Sequence, residues 1–378
     1  MKISKYIKML WAIAFIIGLI AVVFRFTTGE KLTGYGSYVP WGLWVAMYFH
    51  FVGIGGGIFA IGSLGYLLNI PTFRKNFKYI IVASISAVVC GLMSIWFDLG
   101  HPFRFANVFL SPNFGSMMTF NGWMYAGFIA LLGLIFYLQN KKENIEKIND
   151  KSGWLVPLIM FTAAVGIAFP SQSGAFFGVV DAKPFWNSAI MPILFLTSAI
   201  ISGAAVLLMI KALLEKDSKP NENPFKLLKI VIISGIAAYF LLEFSEYSIT
   251  FWSPNSHEKD FFILILFGKF WWVFWLVHLL GSVLGVAILI KAKTNNSFIL
   301  AGAVIAISFI STRLNVLIPG QAIGEIKKLQ EAFYDPKLDH FYSPTLIEYS
   351  ITIFVSSVFV ALVYFGFNWV KKQTLKTA

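Results

Sequence analysis

Cysteine and charge are both scarce in this sequence of 378 residues. Charged residues make up 13% of it, about half of the share found in a typical soluble domain. Hydrophobic residues make up 58% and aromatic residues 17%, which is more apolar surface than a water-soluble core can bury. The composition therefore excludes an ordinary soluble protein and indicates an integral membrane protein.

The sequence also lacks the residue patterns of several kinds of active site. Cys90 is the single cysteine, which excludes a disulfide within the chain and an iron–sulfur cluster bound by four thiolates. The sequence contains no phosphate-binding loop, no HExxH metal motif and no Ser/His/Asp arrangement of a nucleophilic active site. We therefore expect that this chain itself binds no metal and no haem.

Ten apolar runs are long enough to cross a membrane as helices. About 20 helical residues span roughly 30 Å of hydrocarbon, and the second and sixth runs are long enough to tilt. We expect one all-helical membrane domain, residues 1–378, with both termini in the cytoplasm. Its helices are expected near 6–26, 40–69, 78–97, 118–138, 153–171, 188–214, 227–250, 268–290, 297–317 and 346–370.

The first run has the look of a signal peptide, because Lys2, Lys5 and Lys8 precede it. The residues that follow the run, 25–28, read RFTT and offer no small-x-small cleavage site. We therefore expect an uncleaved first helix.

The net charge of +12 follows the predicted topology. With a cytoplasmic N-terminus, 20 of the 30 Lys and Arg residues lie in the cytoplasmic segments, and the other ten lie on the opposite side or at its helix ends. An excess of Lys and Arg in cytoplasmic loops is what orients membrane proteins. The basic charge is therefore an orientation signal, and we expect lipid rather than nucleic acid as a partner.

The predicted outer loops differ in character from the cytoplasmic connections. The cytoplasmic connections are short and rich in Lys, Glu and Asn. The outer loops are longer and carry Pro, Gly, Asn and aromatic residues, which is typical of ordered loops. These loops, expected to form a docking surface for a partner protein, cover residues 98–117, 172–187, 251–267 and 318–345.

Two of these loops share a short pattern. Asp98–Phe103 reads DLGHPF, and Asp181–Phe185 reads DAKPF. The echo fits either two related helical bundles that arose by duplication or chance similarity in an aromatic-rich sequence.

Polar side chains inside the predicted spans mark candidate functional positions, because an ionisable group in hydrocarbon costs several kcal/mol. By depth they belong to the outer half of the membrane or to its midplane. His50, for example, lies about ten residues, or roughly 15 Å, inward from Pro40. One polar pocket that opens outward is the simplest explanation for the set, which comprises His50, Asp98, Glu243, Glu246, His278, Arg313, Asn315 and Glu348.

Each candidate also has a structural interpretation. Glu243 and Glu246 are three residues apart and lie on nearly one helical face. They act either as proton carriers or in salt bridges, with Arg313 as the expected partner. Asp98 either caps a turn or exchanges protons with a ligand. His50 and His278 either contact a ligand or bond to neighbouring backbone groups. Glu348 stands where it would cap the tenth helix.

The chemistry open to such a pocket is that of a quinone. A quinone needs flat aromatic walls for its ring, and it needs hydrogen-bonding acids and bases because it exchanges two protons together with two electrons. Since no redox metal is expected in this chain, the electrons would pass to a partner protein.

Several stretches of the sequence carry a resemblance to a known family. They are Pro40–Ala46 (PWGLWVA) with the glycine-rich run after it, Asp98–Phe105 (DLGHPFRF), Ser111–Thr119, Lys183–Ser188 (KPFWNS), Arg313–Val316 (RLNV), Pro319–Gln321 (PGQ) and Tyr342–Glu348 (YSPTLIE). In order and spacing they resemble the NrfD/PsrC family, the quinone-interacting membrane subunits of polysulfide-reductase-like oxidoreductases. The last three stretches are similar to its ten-helix branch, which includes the hydrogenase anchor HybB and the sulfite-reductase-linked DsrP.

The resemblance implies a multi-pass protein of a bacterial or archaeal plasma membrane that binds menaquinone or ubiquinone near its outer face. It implies one subunit of a respiratory complex rather than a complete enzyme. Electrons would be exchanged with a periplasmic-side iron–sulfur subunit. Behind that subunit would stand a catalytic subunit, either a molybdoenzyme or a hydrogenase.

We expect two groups of site residues on this interpretation. The proton-exchanging group is Asp98, His50, Glu243 and Glu246, with Arg313 holding their charge. The quinone-contacting group is Trp41, Trp44, Tyr125, His101, Arg313, Asn315 and His278. The family's usual Asp-Leu-Gly-Arg-Pro has His101 in place of its arginine here, which removes a fixed positive charge unless Arg104 supplies it.

Two other classes of protein are open at this point. A cytochrome b would use His50 and His278 as axial haem ligands, and an ion-coupled transporter would use Glu243, Glu246 and Arg313 as its ion path. Quinone chemistry coupled to proton translocation is compatible with the first interpretation, although the inner half of the spans offers few ionisable residues for a path.

Overall fold

The computed structural model is helical wherever it describes regular structure, and it describes residues 5–145, 153–215, 223–253, 258–324, 326 and 341–377. Ten helical segments in this part of the chain are long and apolar enough to cross a membrane. The number agrees with the ten predicted runs, so the chain is an all-helical, multi-pass membrane protein. An even number of spans leaves both termini on one side, as the predicted topology requires.

The helices of the first half are α1 (Lys5–Thr28), α2 (Leu43–Leu67), α3 (Pro71–Lys75), α4 (Phe77–Asp98), a 3₁₀ turn (Pro102–Arg104), α5 (Asn107–Leu110), α6 (Met117–Ile145) and α7 (Leu155–Gly178). Those of the second half are α8 (Met191–Leu214), α9 (Asn223–Trp252), α10 (Lys259–Phe267), a π-helix (Val273–Leu280), α11 (Gly281–Lys291), α12 (Asn295–Ser308), α13 (Ile310–Ala322) and α14 (Leu346–Thr377).

The second half differs from the predicted spans at three places. The ninth run consists of α12 and α13, with Phe309 between them, and α13 continues to Ala322. The eighth run begins as a π-helix at Val273, and the short helix α10 lies within the predicted loop 251–267. The break at Phe309 and the π-helix lie inside continuous apolar runs, so hydropathy does not reveal them. Helix α10 is missed because its 9 residues are too few to cross a membrane.

Helix α2 lies at the centre of the bundle, where it packs against α4, α7 and α8. Glycine makes this packing possible. A Cβ atom on Gly55 would overlap Val88 of α4, and one on Gly57 would overlap the carbonyl of Ala199 in α8. Small residues let helix backbones approach closely inside a membrane, so the glycine-rich run holds the central helix against its neighbours.

The first and last helices pack against each other, and α14 also packs against α4. The Trp11 indole nitrogen donates to the carbonyl of Ser357 at 2.9 Å, and Gly18 leaves room for Phe354. The two ends of the chain thus meet beside α4, whose last residue is Asp98.

One end of the bundle carries the end of α1, the start of α2 and the end of α4. We call it the outer face, following the orientation predicted from the charges. The predicted outer loops 251–267 and 318–345 lie in part outside the described residues, at 254–257, 325 and 327–340.

The substitution Gly57→Ala tests the close packing of α2. We expect it to destabilise the protein by about 1–3 kcal/mol, because the new methyl group would meet a backbone carbonyl rather than a movable side chain. The measurement is thermal unfolding in detergent. Gly127→Ala in α6 is the matched control, since a Cβ atom there meets nothing within 4 Å. Equal unfolding midpoints for the two variants would contradict the prediction.

Candidate functional site

Asp98 ends helix α4 at the outer face and is held by a tyrosine. The Tyr35 hydroxyl donates to Asp98 Oδ1 at 2.6 Å. Burial, reinforced by the Asp98 carboxylate, raises the pKa of Tyr35 well above its ordinary value. Tyr35 therefore stays protonated, and it serves as a permanent hydrogen-bond donor to Asp98.

Two cavities meet at Asp98. The inner cavity, of about 120 Å³, is largely apolar. The outer cavity, of about 880 Å³, lies among the residues that connect α1 to α2 and follow α4. Trp41, Asp98 and Leu99 line both. The inner cavity is also lined by Val45, Tyr48, Phe49, Ile95, Met118, Asn121 and Phe176.

The inner cavity contains a buried polar atom without a partner. Asn121 is 3% exposed, and its Oδ1 atom accepts no hydrogen bond in the described structure. A buried acceptor of this kind costs free energy unless a water or a ligand donates to it. Asn121 was not among the predicted site residues, because an asparagine near the start of a span carries no charge to single it out.

Trp41 forms a wall that both cavities share. Its ring stacks on Trp186 at a centroid distance of 6.2 Å and an interplanar angle of 17°. The Gln321 side chain fixes its backbone, accepting from the Trp41 amide at 3.0 Å and donating to its carbonyl at 2.9 Å. Trp41 is thus a rigid flat surface that lines both cavities.

Trp44 and Tyr125, the other two predicted walls, do not line these two cavities. The Trp44 indole nitrogen donates to the carbonyl of Glu348 at 3.1 Å. The Tyr125 hydroxyl lies one hydrogen bond behind the inner cavity, since Tyr48 donates to it at 3.0 Å. Both side chains support the wall from behind.

The cation next to Asp98 comes from α1. Arg25 is 2% exposed, and it donates to the carbonyls of Phe97 at 2.9 Å and of Leu99 at 3.0 Å. It also pairs with Glu30 at 3.2 Å. The expected replacement for the missing loop arginine was Arg104, which is exposed. Arg25 takes that place because α1 ends where α4 exposes its last carbonyls, and such carbonyls attract cations.

The segment that carries Tyr35 is fixed by Glu348, which is fully buried. Its carboxylate accepts hydrogen bonds from the Gly34 amide at 2.9 Å, from the Thr345 amide at 3.0 Å and from the Tyr342 hydroxyl. The bond to Thr345 is that of a capping box at the start of α14. The prediction that Glu348 caps the tenth helix is confirmed, and the same carboxylate also anchors the segment beside Asp98.

A second polar cluster lies between α9, the π-helix and α13. Glu243 pairs with Nε2 of His278 at 3.0 Å and accepts from the Tyr247 hydroxyl at 3.4 Å. Glu246 and Asn315 lie beside it, where they line a cavity of about 40 Å³ together with Glu243. The candidates therefore divide between two clusters, and the single predicted pocket is wrong.

Arg313 corrects a further expectation. It was expected to hold the charge of the glutamates, yet no carboxylate lies within 4.0 Å of it in the described part of the chain. Instead it donates to the carbonyl of Phe195 at 3.1 Å and lies 3.8 Å from the centre of that ring. His50, which bonds to the backbone of Ala306, lies near its charge. His278 takes the place of Arg313 beside Glu243.

The loop histidine His101 is exposed and lines neither cavity beside Asp98. The predicted quinone contact at His101 therefore does not belong to the walls of these cavities.

The surroundings of His278 also bear on the haem interpretation. One ring nitrogen is paired with Glu243. The rings of Tyr239, Phe240, Phe274 and Phe309 surround the imidazole at centroid distances of 5.2–5.8 Å. The imidazole is thus enclosed by aromatic rings and hydrogen-bonded to Glu243, and its Nδ1 atom has no hydrogen-bond partner among the described residues. No group of three or more His, Cys, Asp or Glu side chains positioned for a metal ion occurs among the described residues.

The prediction for this network concerns Glu348→Gln. The amide nitrogen of the new glutamine is a donor, and it would face the backbone amides that now donate to the Glu348 carboxylate. We therefore expect a loss of stability of about 2 kcal/mol. Thermal unfolding in detergent measures it. Glu246→Gln, at the second cluster, is the control for removal of a carboxylate. Unfolding of E348Q at the wild-type temperature would show that the network does not fix this segment.

The fold and the site together define a class of protein: a multi-pass membrane protein with an aromatic-walled cavity and a carboxyl group beside its outer face. Comparison with known families makes this specific. The model of the polysulphide reductase NrfD family matches residues 31–325, so the chain belongs to this family.

Individual relatives agree with the family match. The chain is 27% identical to a selenate reductase subunit of Mesobacillus selenatarsenatis, over 92% of this chain and 89% of that protein. It is 26% identical to the Hdr-like menaquinol oxidoreductase integral membrane subunit of Archaeoglobus fulgidus, over 78% and 74%. Among solved structures, a chain of the bd oxidase from Geobacillus thermodenitrificans superposes with a TM-score of 0.51 at 12% identity, over 97% of this chain and all of that one. The last similarity concerns the fold alone.

Proposed function

We propose that this chain is the quinone-reactive membrane subunit of a multi-subunit oxidoreductase. The observation that carries the proposal is the inner cavity at the outer face. It combines a flat indole wall at Trp41, a carboxyl group at Asp98 and the unpartnered acceptor of Asn121. A quinone uses all three, because it has a flat ring, two hydrogen-bonding oxygen atoms and two protons to exchange.

A bound quinone would supply two-electron, two-proton chemistry. Trp41 and Phe176, whose ring centroids lie 5.9 Å apart at an interplanar angle of 43°, form one continuous aromatic wall against which a ring would lie. Asn121 Oδ1 would accept from a ring hydroxyl, because no group of the described protein donates to it. Asp98 would take or give the proton, with Tyr35 and Arg25 holding the carboxylate and its helix end in place.

The type of quinone is proposed from the chemistry and the relatives. Menaquinone and ubiquinone share the planar ring and the two oxygen atoms that this cavity would recognise. The name of the Archaeoglobus relative, a menaquinol oxidoreductase subunit, favours menaquinone.

The electrons would pass to another subunit. One cysteine cannot bind an iron–sulfur cluster, so we propose a peripheral iron–sulfur subunit on the outer face and a catalytic subunit, a molybdoenzyme or a hydrogenase, behind it. Loop 98–117 supports this placement. It exposes large apolar side chains next to the cavity, with Phe103 79% exposed, Leu110 77% and Phe114 68%.

The second cluster has a proposed role of its own. Glu243 and Glu246 of this cluster are retained as proposed proton carriers, and so is His50, which lies outside the cluster near Arg313. None of the three lines the inner cavity. Glu243 Oε2 and His278 Nε2 lie 3.0 Å apart, within hydrogen-bond distance. Any protons that this cluster carries would therefore move without direct contact between these residues and the quinone ring.

The substitution Asp98→Asn tests the proposal directly. We expect quinol-linked turnover of the assembled complex to fall by about 10²–10⁴-fold, the usual effect of removing a general acid–base. The control is Asp181→Asn, in the neighbouring outer loop, where the aspartate is exposed. Normal turnover of D98N would exclude Asp98 from proton exchange.

The substitution Asn121→Leu tests ligand binding apart from proton transfer. We expect a quinol-site inhibitor of the hydroxyquinoline N-oxide class to bind about tenfold more weakly, because one hydrogen bond is lost. Fluorescence quenching of the inhibitor measures its affinity. Asn107→Leu, at an exposed position of α5, is the control. Unchanged affinity in N121L would place the ligand elsewhere.

A further inference from the structure

The outer cavity joins Asp98 to the outer surface. Asp98 is half-buried and lines both cavities. The outer cavity is also lined by the exposed residues Ser37, Pro40 and Gly100. A group that reaches Asp98 from the inner cavity thus faces water-accessible space on its other side.

Glu30 is the second carboxylate of the outer cavity. It lines this cavity, and its side chain is 44% exposed, so it is in contact with the outer aqueous phase. It lies two residues after the end of α1 and just before the part of the chain that the family model matches. Glu30 was not among the predicted site residues, because a glutamate between two spans has an ordinary surface position.

One guanidinium holds both carboxylate-bearing segments. Arg25, whose side chain is 3% exposed, pairs with Glu30 and also donates to the carbonyls on either side of Asp98. The two carboxylates therefore keep a fixed relation to each other across the cavity. An ion pair between two exposed side chains contributes only about 0–1 kcal/mol to stability. The burial of Arg25 is therefore better explained by its contacts with the end of α4 than by surface stabilisation.

We propose that Glu30 is a proton-relay residue that connects Asp98 with the outer aqueous phase, and that Arg25 is the positioning residue for both. The inference rests on the proposed function. In quinol oxidation the two O–H bonds of the ring break, each proton passes to Asp98, and the two electrons leave to the iron–sulfur subunit. Water in the outer cavity carries each proton from Asp98 to Glu30, which releases it outward. Quinone reduction uses the same groups in reverse.

The experiment compares quinol-linked turnover of the assembled complex with wild-type Glu30 and with Glu30→Gln, in the presence and absence of formate or acetate. We expect E30Q to lose on the order of tenfold in turnover, with the inhibitor affinity unchanged because the inner cavity is intact. A small carboxylic acid that enters the outer cavity should restore most of the loss. It should leave the wild type unaffected, which a purely structural role of Glu30 does not predict.

Two results would overturn the relay: wild-type turnover in E30Q, or a loss that added acid does not restore. If E30Q fails to assemble, Glu30→Asp decides, because it keeps a carboxylate in the cavity and shortens its reach to Arg25. Near-normal turnover of E30D supports the relay, and a persistent loss contradicts it.

Asp98→Asn separates the two proposals. Normal turnover of D98N defeats the proposed function itself, whereas an inactive D98N beside a normal E30Q defeats the relay alone.

Discussion

The free-energy cost of charge in hydrocarbon governs how this protein arranges its ionisable side chains. Several of the buried ionisable side chains that the structure describes have polar partners close by. Arg25 lies against the last carbonyls of α4, and Glu348 accepts from backbone amides and a tyrosine at the start of α14. Glu243 is paired with His278. Helix ends supply much of this compensation, because they present unpaired backbone groups. The site near Asp98 could therefore form only where several helices end together, at the outer face.

This constraint explains which features the sequence predicted. Spans, their number and the outer location of polar residues follow from hydropathy, which measures transfer into the membrane. The partners of those residues do not. Arg313 and Glu243 were predicted near the same side of the membrane, yet Arg313 donates to the carbonyl of Phe195 in α8. The partner of Glu243 is His278. Such choices depend on how helices are rotated and packed, and a run of apolar letters carries little information about rotation. Asn121 and Glu30 were missed for a related reason: neither is unusual until a cavity is seen beside it.

The ends of the chain contribute more to the site than the family match suggests. The matched region covers residues 31–325, which contains Trp41, Asp98 and Asn121. Arg25 precedes it and Glu348 follows it, yet one fixes the end of α4 and the other fixes the segment of Tyr35. The packing of α1 against α14 makes this possible by bringing both termini of the chain to α4. The region shared with the family thus holds all the walls of the inner cavity, and Arg25 and Glu348 fix neighbouring segments from outside that region.

The helical arrangement of this protein does not by itself determine the chemistry of its site. The chain shares its helical arrangement with a bd oxidase chain at 12% identity, and a common scaffold does not carry a common site. What distinguishes this chain lies in particular side chains. His278 is enclosed by aromatic rings and hydrogen-bonded to Glu243. Asp98 lies between an apolar cavity and a wider one that leads outward. A carboxyl group at such a boundary can face a lipid-soluble ligand on one side and water on the other, and proton exchange at a membrane surface requires that position.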